Sequence, residues 1–90
     1  MTIADEIRTL LGTLNPEALD IVDESHRHAG HAGAAGGGGH FALTIVSQQF
    51  ANLGPVQRHR LVHARLSALI PARIHALSIV ARTPDEVVRS

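Results

Sequence analysis

Residues 25–39, read as SHRHAGHAGAAGGGG, hold nothing from which a helix or a strand can be built. Histidines alternate with small residues, and the stretch closes on Gly36-Gly37-Gly38-Gly39, where the backbone entropy lost on ordering is greatest. We read it as a mobile loop, since loops of this length serve a function or stay disordered. Its position constrains the fold more than any other feature, because it divides a 90-residue chain into a short first part and a longer second one.

The first part begins with a helix. Thr2 is an N-cap residue followed by Asp5, placing acid where the helix dipole favours it. Ile3, Ile7, Leu10, Leu11 and Leu14 recur at helical spacing and form one apolar stripe. Asn15-Pro16 stops it, because a residue before proline is pushed out of the α region. The spacing predicts a helix over residues 2–13. From Ala18 to Glu24 the period changes to two, with Leu19 and Ile21 on one face and Asp20 and Glu24 on the other, as in a half-solvated strand.

The second part opens with the best strand in the chain, His40 to Ser47. Phe41, Leu43 and Ile45 share one face, and Thr44 and Val46 the other. A turn or short helical piece follows to Gly54. Pro55 then starts a helix, with Val62, Leu66 and Leu69 on one face down to a break at Pro71. Ile74 to Ala81 reads as a third strand, apolar on both faces apart from His75 and Ser78, and so as the most buried of the three. Thr83-Pro84-Asp85-Glu86 is a complete helix start, with Thr as N-cap, Pro at the first position and Glu at the third.

The order α-β-β-α-β with a terminal helical turn defines one domain over residues 1–90. Strands one and two, joined only by the loop, should pair antiparallel. Strands two and three, joined across a helix, should run parallel through a right-handed crossover. The expected fold is α+β, a three-stranded mixed sheet with helices on one face. In that topology the first strand ends where the second and third begin. The Gly-rich loop, His40 and His75 therefore meet at one end of the sheet.

Composition narrows the chemistry. There is no Cys, which excludes a disulfide framework, a thiolate nucleophile and a zinc ribbon. There is no Lys either, and the net charge is zero. That neutrality hides a split. Residues 1–45 carry two Arg against six Asp and Glu, a net of −4, while residues 46–90 carry six Arg against two acids, a net of +4. No apolar run approaches the ~18 residues of a membrane span. The N-terminus opens acidic rather than with a targeting pattern, so we expect a cytoplasmic protein, an organelle matrix being equally compatible.

The seven histidines are the obvious candidates for chemistry. His26, His28, His31 and His40 lie in the loop or at its edge, and His75 opens the third strand. Imidazoles converging at a sheet end can bind a metal. On spacing alone a solvated loop beside a strand end is the commoner outcome. His59 and His63 stand at i, i+4, a zinc-binding spacing, but no acidic third ligand accompanies them. A half-buried, hydrogen-bonded pair beside Val62 and Leu66 is expected instead. The glycine run leads into a strand rather than opening a helix, so it is not a phosphate loop. Ser25, Ser47, Ser67 and Ser78 lack a nucleophile-elbow motif. Arg58, Arg60 and Arg65 put basic charge on the second helix, where it could meet DNA phosphates or an acidic partner.

Asp23-Glu24-Ser25 with His28 after it, His40-Phe41 leading into Ile45-Val46-Ser47, Phe50, Arg58-His59-Arg60-Leu61-Val62, Ile74-His75-Ala76-Leu77 and Thr83-Pro84 together resemble the BolA family. The resemblance runs from about residue 3 to residue 87. It implies an αββαβ fold similar to a class II K-homology domain, and a protein without catalysis of its own. It also implies partnership with a monothiol glutaredoxin. The two proteins share a [2Fe–2S] cluster, one iron held by the glutaredoxin thiolate and glutathione, the other by the His of the HAL motif and a second loop ligand. Carried onto this chain, the first ligand is His75. The second is Cys in some branches and His in others, and a chain without Cys resembles the His branch, whose ligand matches His28. His31, His26 and His40 are the alternates.

Two departures from the family pattern stand out. Relatives commonly end the loop with Glu-Ser/Thr-His-Phe, whereas here Gly38-Gly39-His40-Phe41 lacks both acid and hydroxyl, which should loosen the loop. An acidic pair usual near the end of the second helix is replaced by Ala68 and Leu69. The resemblance also implies a second function class, a DNA-binding transcriptional regulator using Arg58, Arg60 and Arg65. The missing Lys, the acidic first half and the two aromatic residues weigh against strong nucleic-acid affinity. No membrane partner is expected, and without its partner the chain should be a monomer or a weak homodimer.

Overall fold

The computed structural model describes residues 2–25 and 39–89. The segment holding His26, His28 and His31 lies outside the described residues. Helix α1, Ile3–Leu11, starts at a full capping box. The Asp5 N–H donates to Thr2 Oγ1 at 3.1 Å, and the Thr2 N–H donates to Asp5 Oδ2 at 3.2 Å. A 3-10 turn over Gly12–Leu14 carries the chain to Asn15, left-handed at φ 51°. Strand β1, Ala18–Asp23, pairs antiparallel with β2, Gly39–Val46. After a second 3-10 turn at Gln48–Phe50, α2 runs over Pro55–Arg65 and returns the chain to β3, Ile74–Arg82, parallel to β2. Helix α3, Pro84–Arg89, closes the order.

The sheet order is β1-β2-β3. Ile7 and Leu11 of α1 and Val62 and Leu66 of α2 cluster with Phe41, Leu43, Ile45, Phe50 and Ile79. Both helices therefore bury their stripes against one face of the sheet, as expected from periodicity. On the other face Val22, Thr44 and Val80 are exposed.

The strand ranking is a correction. β2, not β3, is the most buried strand, because it alone is paired on both sides. The apolar run of residues 74–81 does not by itself record that its strand is an edge. The second helix also ends earlier than its apolar spacing indicated. Its last turn holds His63 and Arg65, and Leu66 leaves helical geometry at φ −101°, ψ 9°. Leu69 nonetheless stays buried in the turn that follows.

Two polar contacts tie the elements together. Ser47 is fully buried, and its hydroxyl donates to the Leu14 carbonyl at 2.6 Å, joining the end of β2 to the end of the first helical segment. Arg58 of α2 is the second tie. Its Nε donates to the Leu53 carbonyl at 2.8 Å, and Nη1 to the Ala81 carbonyl at 3.0 Å. Nη1 and Nη2 both reach the Glu86 carboxylate, at 2.7 and 3.1 Å. Glu86 in turn accepts from the Thr83 N–H at 2.8 Å, completing the helix start read from TPDE.

The Arg58 guanidinium beside Glu86 holds that carboxyl well below its ordinary value, at about 2, with the Thr83 N–H helping. A carboxyl depressed in the folded state stabilises it fully above its unfolded pKa, and that contribution is lost as pH falls through the folded value. The tie between α2 and α3 should therefore persist at neutral pH and disappear between about pH 4.5 and 2. Replacing Arg58 by Ala leaves the Leu53 and Ala81 carbonyls without this donor and should lower Tm by roughly 5 °C or more at pH 7. Thermal unfolding at pH 7 and pH 2 checks both points, since the difference between wild type and Arg58→Ala should shrink in acid.

Candidate metal centre at the sheet end

Antiparallel β1/β2 and parallel β2/β3 pairing bring the end of β1 and the starts of β2 and β3 together. His40 is the second residue of β2, and His75 the second of β3. Their rings face each other with centroids 5.4 Å apart and planes tilted by 46°. Two imidazoles on one first-row metal, each nitrogen about 2 Å from it, place their ring centroids at about 5 Å.

His75 is presented by a break in the ladder. Gly39 pairs with Ile74 and His40 with Ala76, so His75 is the residue inserted by a bulge. The bulge also reverses the alternation of the strand. Ile74 is buried, yet from Leu77 onward the odd-numbered positions carry the helix-facing side chains. The imidazole of His75 is left exposed at the sheet end.

The ends of the loop are fastened to the same place. The Glu24 N–H donates to the His40 carbonyl at 2.7 Å, and the Gly39 N–H to the Arg73 carbonyl at 3.0 Å. The His40 N–H donates to Ser25 Oγ at 2.9 Å. Ser25 therefore supplies a hydroxyl at the point where Gly39 offers none. Gly39 makes that possible. A Cβ there would meet Phe41 Cε2 at 2.5 Å and Ser25 Oγ at 2.7 Å. The role of Ser25 was not legible as a motif, since its partner stands fifteen residues away.

Among the described residues no group of three His, Cys, Asp or Glu could enclose a metal ion. His40 and His75 thus form at most an incomplete site, to be finished by donors from the segment between Ser25 and Gly39 or from another molecule. His26, His28 and His31, the loop candidates, lie outside the described residues.

The other candidates fall elsewhere. Arg58, first of the three cations proposed for DNA, is committed to Leu53, Ala81 and Glu86 and only 14% exposed. Arg60 and Arg65 remain exposed. His59 and His63 are exposed rather than half-buried. They lie on α2 with Pro55, Val56 and Arg60 around a surface groove of about 330 Å³. Among the described residues no helix is long and apolar enough to cross a membrane.

Gly39→Ala should displace Ser25 or Phe41 and destabilise the fold by about 1–3 kcal/mol, the usual cost of overpacking. In two-dimensional amide NMR spectra it should shift Ser25, His40 and His75 together. Gly12→Ala is the control, since its added Cβ meets nothing within 4 Å.

Comparison with known proteins agrees with this architecture. BolA1 from Arabidopsis thaliana superposes with a TM-score of 0.82 at 42% identity, covering 96% of each chain. BolA-like protein 1 of Bos taurus is 51% identical over 81 residues, 89% of this chain and 58% of that protein. SufE-like protein 1, chloroplastic/mitochondrial, of Arabidopsis thaliana is 46% identical over 79 residues, 82% of this chain and 21% of that protein. The chain thus spans little more than half the length of the first relative and about a fifth of the second. The family model described as BolA-like protein matches residues 10–86. With the αββαβ order, the mixed sheet and the paired strand-end histidines in place, the chain belongs to the BolA-like family.

Proposed function

We propose that this chain is the non-catalytic half of a heterodimer with a monothiol glutaredoxin, and that His75 and His28 hold one iron of a shared [2Fe–2S] cluster. The glutaredoxin thiolate and glutathione would hold the other iron. The observation that carries the reading is the bulge that leaves His75 exposed against His40, at the sheet end where both ends of the His28 segment are fastened.

The donor set fits such a group. It contains imidazole and no thiolate, and the described residues cannot close around a metal without outside donors. Imidazole ligation makes a cluster less negative, raises its potential and leaves a bond that protonation breaks. A half-site of this kind suits a cluster that is passed on or sensed in iron homeostasis rather than stored.

In this reading each side chain has a limited task. His75 presents a ring nitrogen from a position fixed by its strand. His28 supplies the second donor, with His31, His26 and His40 as the alternates. Ser25 and Gly39 set where the segment leaves and re-enters the sheet. The transcription-factor reading would have to work with Arg60 and Arg65, since the Arg58 guanidinium is already engaged. Whether cytoplasm or organelle matrix, an aqueous compartment holding glutathione is required.

Reconstitution with a monothiol glutaredoxin, glutathione, iron and sulfide should give a heterodimer with visible cluster absorption. His75→Ala should remove that spectrum or speed cluster loss by more than the ~10–100-fold that follows loss of a supporting hydrogen bond at a metal site. Separate Ala variants of His28, His31, His26 and His40 should single out one strong effect, at His28. If His75→Ala leaves spectrum and lifetime unchanged, the ligand assignment is wrong. For the DNA alternative, duplex affinity should fall steeply with salt and weaken on Arg60→Ala.

A further inference from the structure

The apolar stripe of α2 runs past the sheet. Val62 and Leu66 are buried, but the same stripe continues one and two turns earlier into His59 and Pro55, which stay exposed. Beneath them lies a second groove of about 250 Å³, lined by Pro55, Arg58 and His59 on one side and Ile79, Val80, Ala81 and Arg82 on the other. It shares Pro55 and His59 with the groove beside Val56, Arg60 and His63, so the two adjoin. Val56 is 62% exposed and Val80 41%, large values for aliphatic side chains beside a cleft.

This cleft borders an edge strand. β3 pairs with β2 on one side only. The Arg82 carbonyl turns toward β2, where it accepts from the Ser47 N–H at 2.9 Å, so the Ala81 carbonyl turns outward, where Arg58 takes it. By the two-residue period of a strand, Leu77 and Ile79 direct their backbone groups outward as well. Between Ala76 and Ala81 the strand has no charge or proline of the kind that usually blocks an edge. The opposite edge differs. β1 carries Asp20 and Asp23 between Glu17 and Glu24, and the Arg8 guanidinium donates to its Leu19 carbonyl at 3.4 Å. The charge split along the sequence thus becomes an acidic edge and a basic edge.

We infer that the cleft between α2 and the β3 edge binds an acidic, extended peptide segment of a partner protein, added beside β3 as a further strand. Arg60 and Arg82 at the rim complement negative charge, and the Glu86 carboxylate beside the second groove is already paired with Arg58. Alternate side chains of the segment meet Pro55, Val56 and Ala81 on the helix face and Val80 on the opposite face of the sheet, and the outward backbone groups of Leu77 and Ile79 pair with the segment. Nucleic acid shares the charge complementarity but would leave the apolar side chains and the strand edge unused, and among the described residues no Phe, Tyr or Trp lines the cleft for base stacking. The groove residues of β3, Ile79 to Arg82, lie about 13 to 23 Å from His75 along the strand.

The test is titration of the full chain with a fluorescein-labelled peptide of about nine residues alternating Glu and Val, against the same peptide with Lys for Glu. Binding of the acidic peptide alone, weakening with salt and shifting amide resonances of residues 55–63 and 77–82, is expected. Val80→Lys and Arg60→Glu, both on exposed positions, should each weaken it about tenfold or more while leaving Tm within a few degrees. Equal binding of both peptides, shifts confined to the His40–His75 end, or no binding up to about 1 mM would overturn the inference. So would a short DNA duplex that binds the same residues while the peptide does not.

Discussion

The pairing of β2 on both of its edges is the constraint on which the rest of this molecule depends. As the central strand it presents Phe41, Leu43 and Ile45 to the helices and contributes three of the core side chains between α1 and α2. Its two different pairings, antiparallel to β1 and parallel to β3, decide which strand ends coincide. One end gathers the exit of β1, the entry of β2 and the entry of β3, and with them the described candidate ligands His40 and His75. The other gathers the exits of β2 and β3, the start of α2 and the Arg58–Glu86 tie. A 90-residue chain buries a limited core, so a tie of this kind counts for more than it would in a larger domain.

Much of this was readable in advance. Period 3.6 in residues 3–14, period two in residues 18–24 and the strand signature of HFALTIVS produced the element order, and the connections produced the topology. The convergence of His40 and His75 followed from that topology alone. What could not be read had physical reasons. A bulge at His75 leaves no trace where the surrounding residues are apolar on either face. Besides nearby Leu53, Arg58 reaches two partners distant in sequence, Ala81 and Glu86, and nothing in the RHR run distinguishes it from Arg60. The exposure of His59 and His63 depends on where the sheet ends beneath α2, which a helical wheel does not contain. Ser25 seemed idle because its partner waits across the loop.

The two ends of the sheet differ in kind. At the histidine end the chain offers donors that the described residues do not complete, held by a register irregularity and by hydrogen bonds at both ends of a glycine-rich segment. At the opposite end it offers shape, charge and an open strand edge.

The central claim concerns which atoms hold the iron, and nitrogen couplings answer it most directly. The heterodimer would be reconstituted from this chain labelled with ¹⁵N-histidine and an unlabelled monothiol glutaredoxin, reduced, and examined by pulsed electron paramagnetic resonance. Two sets of strong ¹⁵N couplings are predicted, one of them absent in His75→Ala. A cluster spectrum without strong ¹⁵N coupling, or with both sets retained in His75→Ala, would contradict the account.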